Sequence, residues 1–131
     1  MNTDKKICFV VFLGFLLLFI YSCKEKSPEA IYIQEKHDEI MVIHDEVMPK
    51  MRDIYKLKKK IKKDTRYKDS SLIDSLDYAE EIMMEWMHEY KEPSESDPEY
   101  EQYLDHHMVE VSKVRDAMLR IIDNSQKALA L

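Results

Sequence analysis

The clearest structural signal in this chain lies in residues 29–63, which read EAIYIQEKHDEIMVIHDEVMPKMRDIYKLKKKIKK. Apolar residues and histidines recur there every three or four positions, which is the spacing of one face of an α-helix. The series is Ile33, His37, Ile40, His44, Val47, Met51, Ile54, Lys58 and Ile61. Just before it, residues 27–29 supply a serine N-cap, a first-turn proline and a first-turn acid, so the helix is expected to begin there.

Pro49 lies inside this series. A proline within a helix has no N–H to donate to the carbonyl of the residue four positions earlier, here Asp45, and the helix usually bends at that point. The sequence therefore predicts one long helix that ends near Lys63 and is kinked near Pro49. Two shorter helices broken near Met48 are the alternative.

Two further helical series follow, each with its own start signal. The second opens at residues 71–74, which form a capping box, and stops at the Glu92-Pro93 pair. The third begins after residues 97–99, which repeat the pattern of an N-cap, a proline and an acid. The apolar faces are Leu72, Leu76, Ala79, Met83, Trp86 (or Met87) and Tyr90 for the second helix, and Tyr100, Leu104, His107, Val111, Val114, Met118, Ile121, Ser125 and Ala128 for the third.

Three amphipathic helices with short connections predict an all-α fold, an antiparallel up-down-up three-helix bundle with its first helix kinked near Pro49. The long three-four spacing favours coiled-coil-like packing at shallow angles. Three helices also leave a groove that a helix of a second copy could fill, so a homodimer is left open.

The first 22 residues have the layout of a secretory signal, because Lys5 and Lys6 precede an almost wholly apolar run at 7–21. That run is shorter than the about 20 apolar residues that a membrane-spanning helix needs. Residues 20–23, IYSC, resemble a lipobox, the site at which bacterial lipoproteins are cleaved and lipidated. The resemblance implies cleavage before Cys23 and lipid on its sulfur. An uncleaved signal anchor with Cys23 unmodified is the alternative.

The predicted organisation is therefore a signal peptide at 1–22, a lipidated tether at 23–28 and a helical bundle domain at 29–131. Such a protein is held in the bacterial cell envelope by lipid in the inner or the outer membrane, facing the periplasm or the cell surface. The lipid on the sulfur is expected to be diacylglycerol, and a further acyl chain on the new amino group of Cys23 would make that anchor stable, since one chain alone binds a membrane only marginally.

Composition argues against most enzymes. The only glycine, Gly14, lies in the signal, so the remaining chain has none. Phosphate-binding loops, dinucleotide-binding turns and nucleophile elbows all need glycine. No nucleophile with a matching base is indicated, and no catalysis is predicted. The formal net charge of −6 argues against a nucleic-acid partner, whose phosphates would be repelled.

The stretches HDEVMPKM at residues 44–51 and MMEWMH at residues 83–88 resemble a group of small Bacteroidota lipoproteins. Some members of that group are labelled "viral A-type inclusion protein". The similarity covers most of the chain after the signal. It implies a lipoprotein of the cell envelope, and it implies no activity, cofactor or site residue.

Folding the three helices antiparallel brings histidines and methionines to one level of the core. That set is His44, Met48, Met83, Met87 and His107, with Trp86, His88 and Tyr103 at its edge. Imidazole and thioether ligands together suit Cu(I), and a His–Met pair can also hold haem iron. Methionine is equally a flexible core filler, and no short ligand motif is present. The set is therefore either a metal site, with copper ahead of haem, or a group of structural core residues.

The two ends of the predicted bundle have opposite charge. Acidic residues cluster at the second connection, namely Glu89, Glu92, Glu95, Asp97, Glu99 and Glu101. Basic residues cluster at the first, namely Lys56, Lys58, Lys59, Lys60, Lys62, Lys63, Arg66 and Lys68. The anchor lies at the start of the first helix, so the acidic end is expected near the membrane and the basic end about 45 Å away, at 1.5 Å per residue.

The candidate interaction surface at the basic end is Lys58, Lys59, Lys60, Lys62, Lys63 and Arg66. It could contact an acidic envelope protein, a polysaccharide or another membrane. The alternative is a solvated helix end, where lysines favour the helix dipole. The sequence thus predicts a lipid-anchored structural or interaction module, with a copper-binding or, less readily, a haem-binding protein as the alternative.

Overall fold

The computed structural model describes residues 26–67 and 71–130. Four α-helices account for most of these residues: α1 at Pro28–Val47, α2 at Lys50–Lys63, α3 at Ser71–Glu89 and α4 at Tyr100–Ala130. A short 3-10 turn, Thr65–Tyr67, follows α2, and the described residues contain no strand. The predicted signal peptide, the lipidated Cys23 and Lys68 lie outside the described residues.

The first predicted helix is bent where Pro49 was expected to bend it. The N–H of Met48 still donates to the carbonyl of His44 at 2.9 Å, and both Met48 and Pro49 keep right-handed helical backbone angles. The N–H groups of Met51 and Arg52 then donate three residues back, at 3.2 Å, to the carbonyls of Met48 and Pro49. One tightened turn therefore joins α1 to α2, and together they form the first, bent helix of a three-helix bundle.

Local polar contacts fix the helix ends. Ser27 caps α1, since its hydroxyl accepts a hydrogen bond from the N–H of Ala30 at 3.0 Å. The side chain of Asp97 accepts from the N–H of Glu99 at 3.0 Å just before α4. At the other end of the bundle the Tyr67 hydroxyl donates to the carbonyl of Ala128 at 2.7 Å. The last turn of α4 is thereby held beside the connection that follows α2.

The core forms along the predicted apolar faces, with α4 at its centre. With 31 residues, α4 is long enough to pack against both α1 and α2, and it also packs against α3. The fully buried side chains of the core are Ile40, Val47, Ile54, Ile61, Leu76, Ala79, Met83, Leu104, Val111 and Met118. Burial of each larger aliphatic chain contributes about 2 kcal/mol, so this face is what holds the helices together.

The predicted faces are wrong by one residue at two places, and at a third the structure decides between the two residues that the sequence left open. Leu57 rather than Lys58 is buried in α2, and Ile122 rather than Ile121 is buried in α4. In α3 Trp86 is 5% exposed, whereas its alternative Met87 is 39% exposed. A strict three-four repeat averages 3.5 residues per turn, and an α-helix has 3.6, so the buried face drifts away from such a repeat along a long helix.

In the part of the chain that the structure describes, no helix has both the length and the apolar character that crossing a bilayer demands.

Candidate functional site

Three histidines on the inner faces of α1 and α4 meet aromatic rings of α3. The ring of Trp86 lies 5.8 Å from that of His44, 6.4 Å from that of His107 and 5.1 Å from that of Tyr90, centre to centre. The ring of Tyr90 stacks in turn on His37. These residues, with Tyr103, make up a polar region of the core that we call the aromatic layer: His37, His44, Trp86, Tyr90, Tyr103 and His107.

The two tyrosines of the aromatic layer have their hydroxyls paired. The Tyr90 oxygen lies 2.8 Å from Nδ1 of His37, and the tautomer of the imidazole sets which of them donates. Burial, with smaller contributions from Tyr103 and Glu92, raises the pKa of Tyr90 to about 12, so the phenol is protonated at neutral pH. The Tyr103 hydroxyl accepts from the N–H of Lys91 at 2.8 Å and so closes the end of α3.

His107 and Trp86 are different, because each carries a buried polar atom without a partner. His107 is 6% exposed, and neither its Nδ1 nor Nε1 of Trp86 has a hydrogen-bond partner among the described residues. Burial lowers the pKa of His107, and the neighbouring His106 lowers it further, against the opposing effect of Glu89 and Glu110. The imidazole is therefore neutral at neutral pH.

The structure brings only part of the predicted metal set together. Met83 is fully buried and Met48 is half-buried, but Met87 is exposed, because Trp86 occupies the inward position of that turn. Nδ1 of His44 lies 2.9 Å from the carboxylate of Asp45. His44 and His107 each pack against Trp86, and no ring contact joins the two of them.

Residues 26–67 and 71–130 contain no group of three or more His, Cys, Asp or Glu side chains placed to hold a metal ion. His88, expected at the edge of the set, is exposed. The prediction that Met87 lies in the core layer was wrong, because its side chain is exposed. The layer that the sequence predicted as sulfur-rich is occupied mainly by aromatic rings.

A groove of about 480 Å³ runs between α3 and α4 beside this layer, and we call it the α3–α4 groove. Its lining includes both rings with unpartnered atoms, Trp86 and His107, and the carboxylates of Glu85, Glu89 and Glu110. This groove was not predicted from the sequence. The available signal was the placement of Ile82, Glu85 and Glu89 on one flank of α3, but that flank becomes a site only once α4 is packed against it.

The basic end contains two kinds of cation. Nζ of Lys58 pairs with the carboxylates of Asp77 and Glu80 on α3, the latter at 2.7 Å, and these hydrogen bonds raise the pKa of Lys58. Arg66 pairs with Asp64 at 2.9 Å. Two of the six predicted surface residues are therefore engaged within the bundle.

The other predicted surface lysines form no ion pair with a residue in the described part of the chain: Lys59, Lys60, Lys62 and Lys63. Three of these, together with Lys58, surround Tyr55, which is 63% exposed, in a shallow groove of about 390 Å³. We call Tyr55, Lys59, Lys62 and Lys63 the Tyr55–lysine surface. It presents an aromatic ring beside three cations on one face of α2.

The acidic end lies beside the start of α1. The Ser27 hydroxyl donates to a carboxylate oxygen of Glu95 at 2.6 Å, so the connection between α3 and α4 touches the point where the chain enters the bundle. Since the Tyr67–Ala128 contact closes the opposite end, the acidic and basic ends are separated by the length of the bundle.

Comparison of this chain with known protein families, with curated proteins and with solved structures finds no match in any of the three. A function for this chain is therefore inferred from the geometry of the bundle and from its charges.

Proposed function

We propose that this protein is a lipid-tethered interaction module of the bacterial cell envelope, which holds the Tyr55–lysine surface away from the membrane to bind an acidic polysaccharide. The observation that carries the proposal is this surface itself. Its three lysines have no carboxylate partner among the described residues, although the chain as a whole is acidic.

The spacing of the surface favours a linear polyanion. Residues three and four apart are neighbours on a helix, so Lys59, Lys62 and Lys63 place their charges close together although like charges repel. The negative end of the α2 dipole offsets part of that repulsion. Tyr55 adds an exposed ring with an apolar face and a polar tip, which suits a sugar ring that carries anionic groups.

The tether determines which end of the bundle lies near the membrane. The contact between Ser27 and Glu95 puts the acidic end beside the residues that lead back to Cys23. The tether keeps this acidic end close to the membrane although anionic lipids repel it, and the basic end is left free to meet anions further out. The bundle would therefore stand on its acidic end, with the Tyr55–lysine surface facing outward.

Lipidation is tested by labelling cells with radioactive fatty acid and isolating the protein. The Cys23→Ala variant is expected to incorporate no label, because the thiol that accepts diacylglycerol is gone. The matched control is Cys8→Ala, which removes the other cysteine of the chain and should be labelled like the unmodified protein. Label in the Cys23→Ala variant would contradict the tether.

Binding is tested with dextran sulfate as the anionic probe and neutral dextran as its uncharged counterpart. The full chain is compared with a triple variant, Lys59→Gln, Lys62→Gln and Lys63→Gln. At low salt we expect about tenfold weaker binding, from roughly 0.5 kcal/mol for each exposed charge pair lost. The difference should shrink as added salt screens the charges.

The control for this variant removes three lysines elsewhere, Lys36→Gln, Lys91→Gln and Lys113→Gln, with the same change in net charge. It should bind dextran sulfate as the unmodified chain does. An equal loss in both triple variants would mean that net charge and not this surface determines binding. Preference for polyglutamate over dextran sulfate would favour an acidic protein as the partner.

The set of histidines and methionines is not proposed as a copper or haem site. Met87 is exposed and His44 lies against Asp45, so the structure offers no observation that favours a metal there over structural packing.

A further inference from the structure

The outward face of α1 carries a row of exposed side chains that are mostly acidic. They follow one another every three or four positions, so they lie along one line on the helix surface. They are Ile31, Glu35, Asp38, Val42 and Asp45, and all five are exposed. Glu35 and Asp38 form no ion pair with a residue in the described part of the chain, and the Asp45 side chain is 74% exposed although it contacts His44.

The same row continues past Pro49 along α2, and there its charge is reversed. Its members in α2 keep the spacing and are all exposed, namely Arg52, Lys56, Lys59 and Lys63. None of the four forms an ion pair with another residue within 26–67 and 71–130. We call the five positions of α1 and the four of α2 the outer stripe. The stripe therefore changes sign at the bend, as the helices themselves do: α1 has six acids and one lysine, whereas α2 has eight bases and one acid.

The order of these charges determines what can lie along the outer stripe. A polyanion is attracted by the half after Pro49 and repelled by the half before it, and a uniformly basic partner meets the reverse. A partner that covers the whole stripe must carry the opposite order of charges. A second copy of this chain has that order when it runs antiparallel, because each basic half then faces an acidic half.

Antiparallel pairing about Pro49 brings opposite charges together. A residue that lies a given number of positions before Pro49 then faces the residue that lies about as many positions after it in the second copy. To within one residue, Asp45 faces Arg52. By the same rule Asp38 faces Lys59. Each of these pairs occurs twice, since a two-fold axis relates the copies.

The outer members of the stripe also match, but they approach each other less closely. Glu35 faces Lys63 of the second copy. Val42, which is 69% exposed, faces Lys56, whose aliphatic stem can cover the valine. Because a helix that bends around a core is convex towards solvent, the two copies come closest at the bend. The pairs nearest to Pro49 are therefore expected to contribute most.

We propose that this protein pairs with a second copy of itself through the outer stripe, in an antiparallel arrangement centred on Pro49. Exposed ion pairs contribute little each, so two molecules are held weakly, with a dissociation constant on the order of 1 mM at low salt. Lys59 and Lys63 also belong to the Tyr55–lysine surface, so a second copy and a polysaccharide compete for them.

The antiparallel arrangement has a consequence at the membrane, and this step alone rests on the proposed tether. Two copies that stand upright on one membrane are parallel and cannot pair in this way. Two copies on facing membranes are antiparallel. The outer stripe would therefore join facing membranes, where many weak pairs act together.

Charge reversal within the stripe tests the pairing. The full chain is studied by sedimentation equilibrium at low salt, in a non-ionic detergent of matched density that keeps the apolar residues 7–21 dispersed. The acid-reversed variant is Asp38→Lys with Asp45→Lys, and the base-reversed variant is Arg52→Glu with Lys59→Glu. Each should associate with itself at least about tenfold more weakly than the unmodified chain, because two attractive pairs, each present twice, become repulsive. All four positions are exposed, so the core is unchanged.

The two variants mixed in equal amounts restore every pair. One chain then presents bases where the other presents acids, so the mixed pair should form with about the affinity of the unmodified chain. Net charge cannot produce this pattern. Each substitution in the acid-reversed variant adds two positive charges, so the net charge changes from −6 to −2 and the general repulsion between copies falls, yet pairing should be lost.

The matched control reverses two exposed acids outside the stripe, Glu81→Lys with Asp105→Lys, with the same change in net charge. It should associate at least as strongly as the unmodified chain. The acid-reversed variant keeps the Tyr55–lysine surface and should still bind dextran sulfate. Loss of pairing and loss of polysaccharide binding are therefore separate results.

Three results would overturn the proposal. One is an unmodified chain that stays monomeric up to about 2 mM at low salt. The second is an acid-reversed variant that associates with itself as strongly as its control, which would show that the stripe does not determine pairing. The third is a mixture of the two variants that associates no more strongly than either variant alone.

Discussion

The two halves of the core are built from different side chains. In the half towards the basic end the buried residues are almost all aliphatic, with Ile54, Leu57 and Ile61 facing Leu76 and Met118. In the half towards the acidic end α3 contributes Trp86 and Tyr90, and histidines of α1 and α4 pack against them. One long helix, α4, runs through both halves, so the difference arises from the side chains and not from the architecture.

This difference indicates which half of the core contributes a stability that depends on pH. Aliphatic side chains need only close packing, and their contribution does not depend on pH. Every polar atom in the aromatic layer needs a partner, and only some have one among the described residues: His37 is paired with Tyr90, whereas His107 and Trp86 each leave an atom without one. Ser125, whose buried hydroxyl also lacks a partner within residues 26–67 and 71–130, is the exception in the aliphatic half.

The largest effect is expected in the aliphatic half. Ile54 is fully buried, and Ile54→Ala should lower the free energy of unfolding by about 3 kcal/mol, through lost burial and the cavity that remains. Urea denaturation measures this. The control is Val42→Ala, at a valine that is 69% exposed, which should change stability by less than about 0.5 kcal/mol. Equal losses in the two variants would refute close packing of this half.

A smaller loss is expected at the acidic end. Ser27 caps α1 and also donates to Glu95, so Ser27→Ala removes both bonds. The cap alone is worth about 1 kcal/mol, and the exposed bond to Glu95 should add little. Thermal melting of Ser27→Ala beside Glu95→Ala separates the two contributions, because alanine has no acceptor for the Ser27 hydroxyl. A larger loss in Glu95→Ala than in Ser27→Ala would show that the loop contact and not the cap stabilises this end.

The dependence of stability on pH should come from the aromatic layer. Because the pKa of His107 is lowered in the folded protein, the unfolded chain binds a proton more readily than the folded one. The full contribution of the neutral imidazole is present above the ordinary histidine pKa of 6.5, and it is lost as the pH falls from there through the folded-state pKa.

Melting temperatures measured between pH 8 and pH 5 in His107→Leu should therefore fall less than those of the unmodified protein. At pH 8 the leucine variant should be equally stable or more stable by up to about 1 kcal/mol, since an unpartnered buried polar group is replaced by an apolar one. The same pH profile in both proteins would assign the dependence to other groups.

The smallest effect is expected for the ion pairs that join α2 to α3 over the aliphatic half. Lys58→Met keeps the apolar part of the side chain and removes the pairs with Asp77 and Glu80. Partly exposed pairs of this kind contribute about 0.5 kcal/mol, so the variant should unfold at nearly the same urea concentration. A loss above about 2 kcal/mol would mean that these pairs and not the aliphatic contacts hold α2 on α3.

The course of the chain could be predicted from its sequence because it depends on local signals. The three helices, the bend at Pro49 and the burial of Ile40, Leu76 and Leu104 all follow from periodicity and capping. Which residue of a given helical turn faces the core could not be predicted with the same accuracy. Trp86 and Met87 are both apolar neighbours, and the choice between them depends on how α3 is rotated about its axis when it meets α4.

The candidate sites, too, could be predicted only where they depend on residues close together in the sequence. The Tyr55–lysine surface could be outlined in advance because its lysines are close together along α2, although the pairing of Lys58 with Asp77 and Glu80 needed the packing of α3. The α3–α4 groove depends on flanks of two helices that are distant in sequence. The resemblance to Bacteroidota lipoproteins and the lipid on Cys23 stay predictions.

The bend at Pro49 also has a mechanical consequence under the proposed function. A lipid in the membrane and a partner on the Tyr55–lysine surface would pull on opposite ends of the first helix. Tension then acts parallel to the helix axes, so the core contacts are loaded in shear and resist together. At Pro49 the axis changes direction and one backbone hydrogen bond is lacking. We therefore expect the protein to lengthen first by straightening at this joint, while its core stays intact.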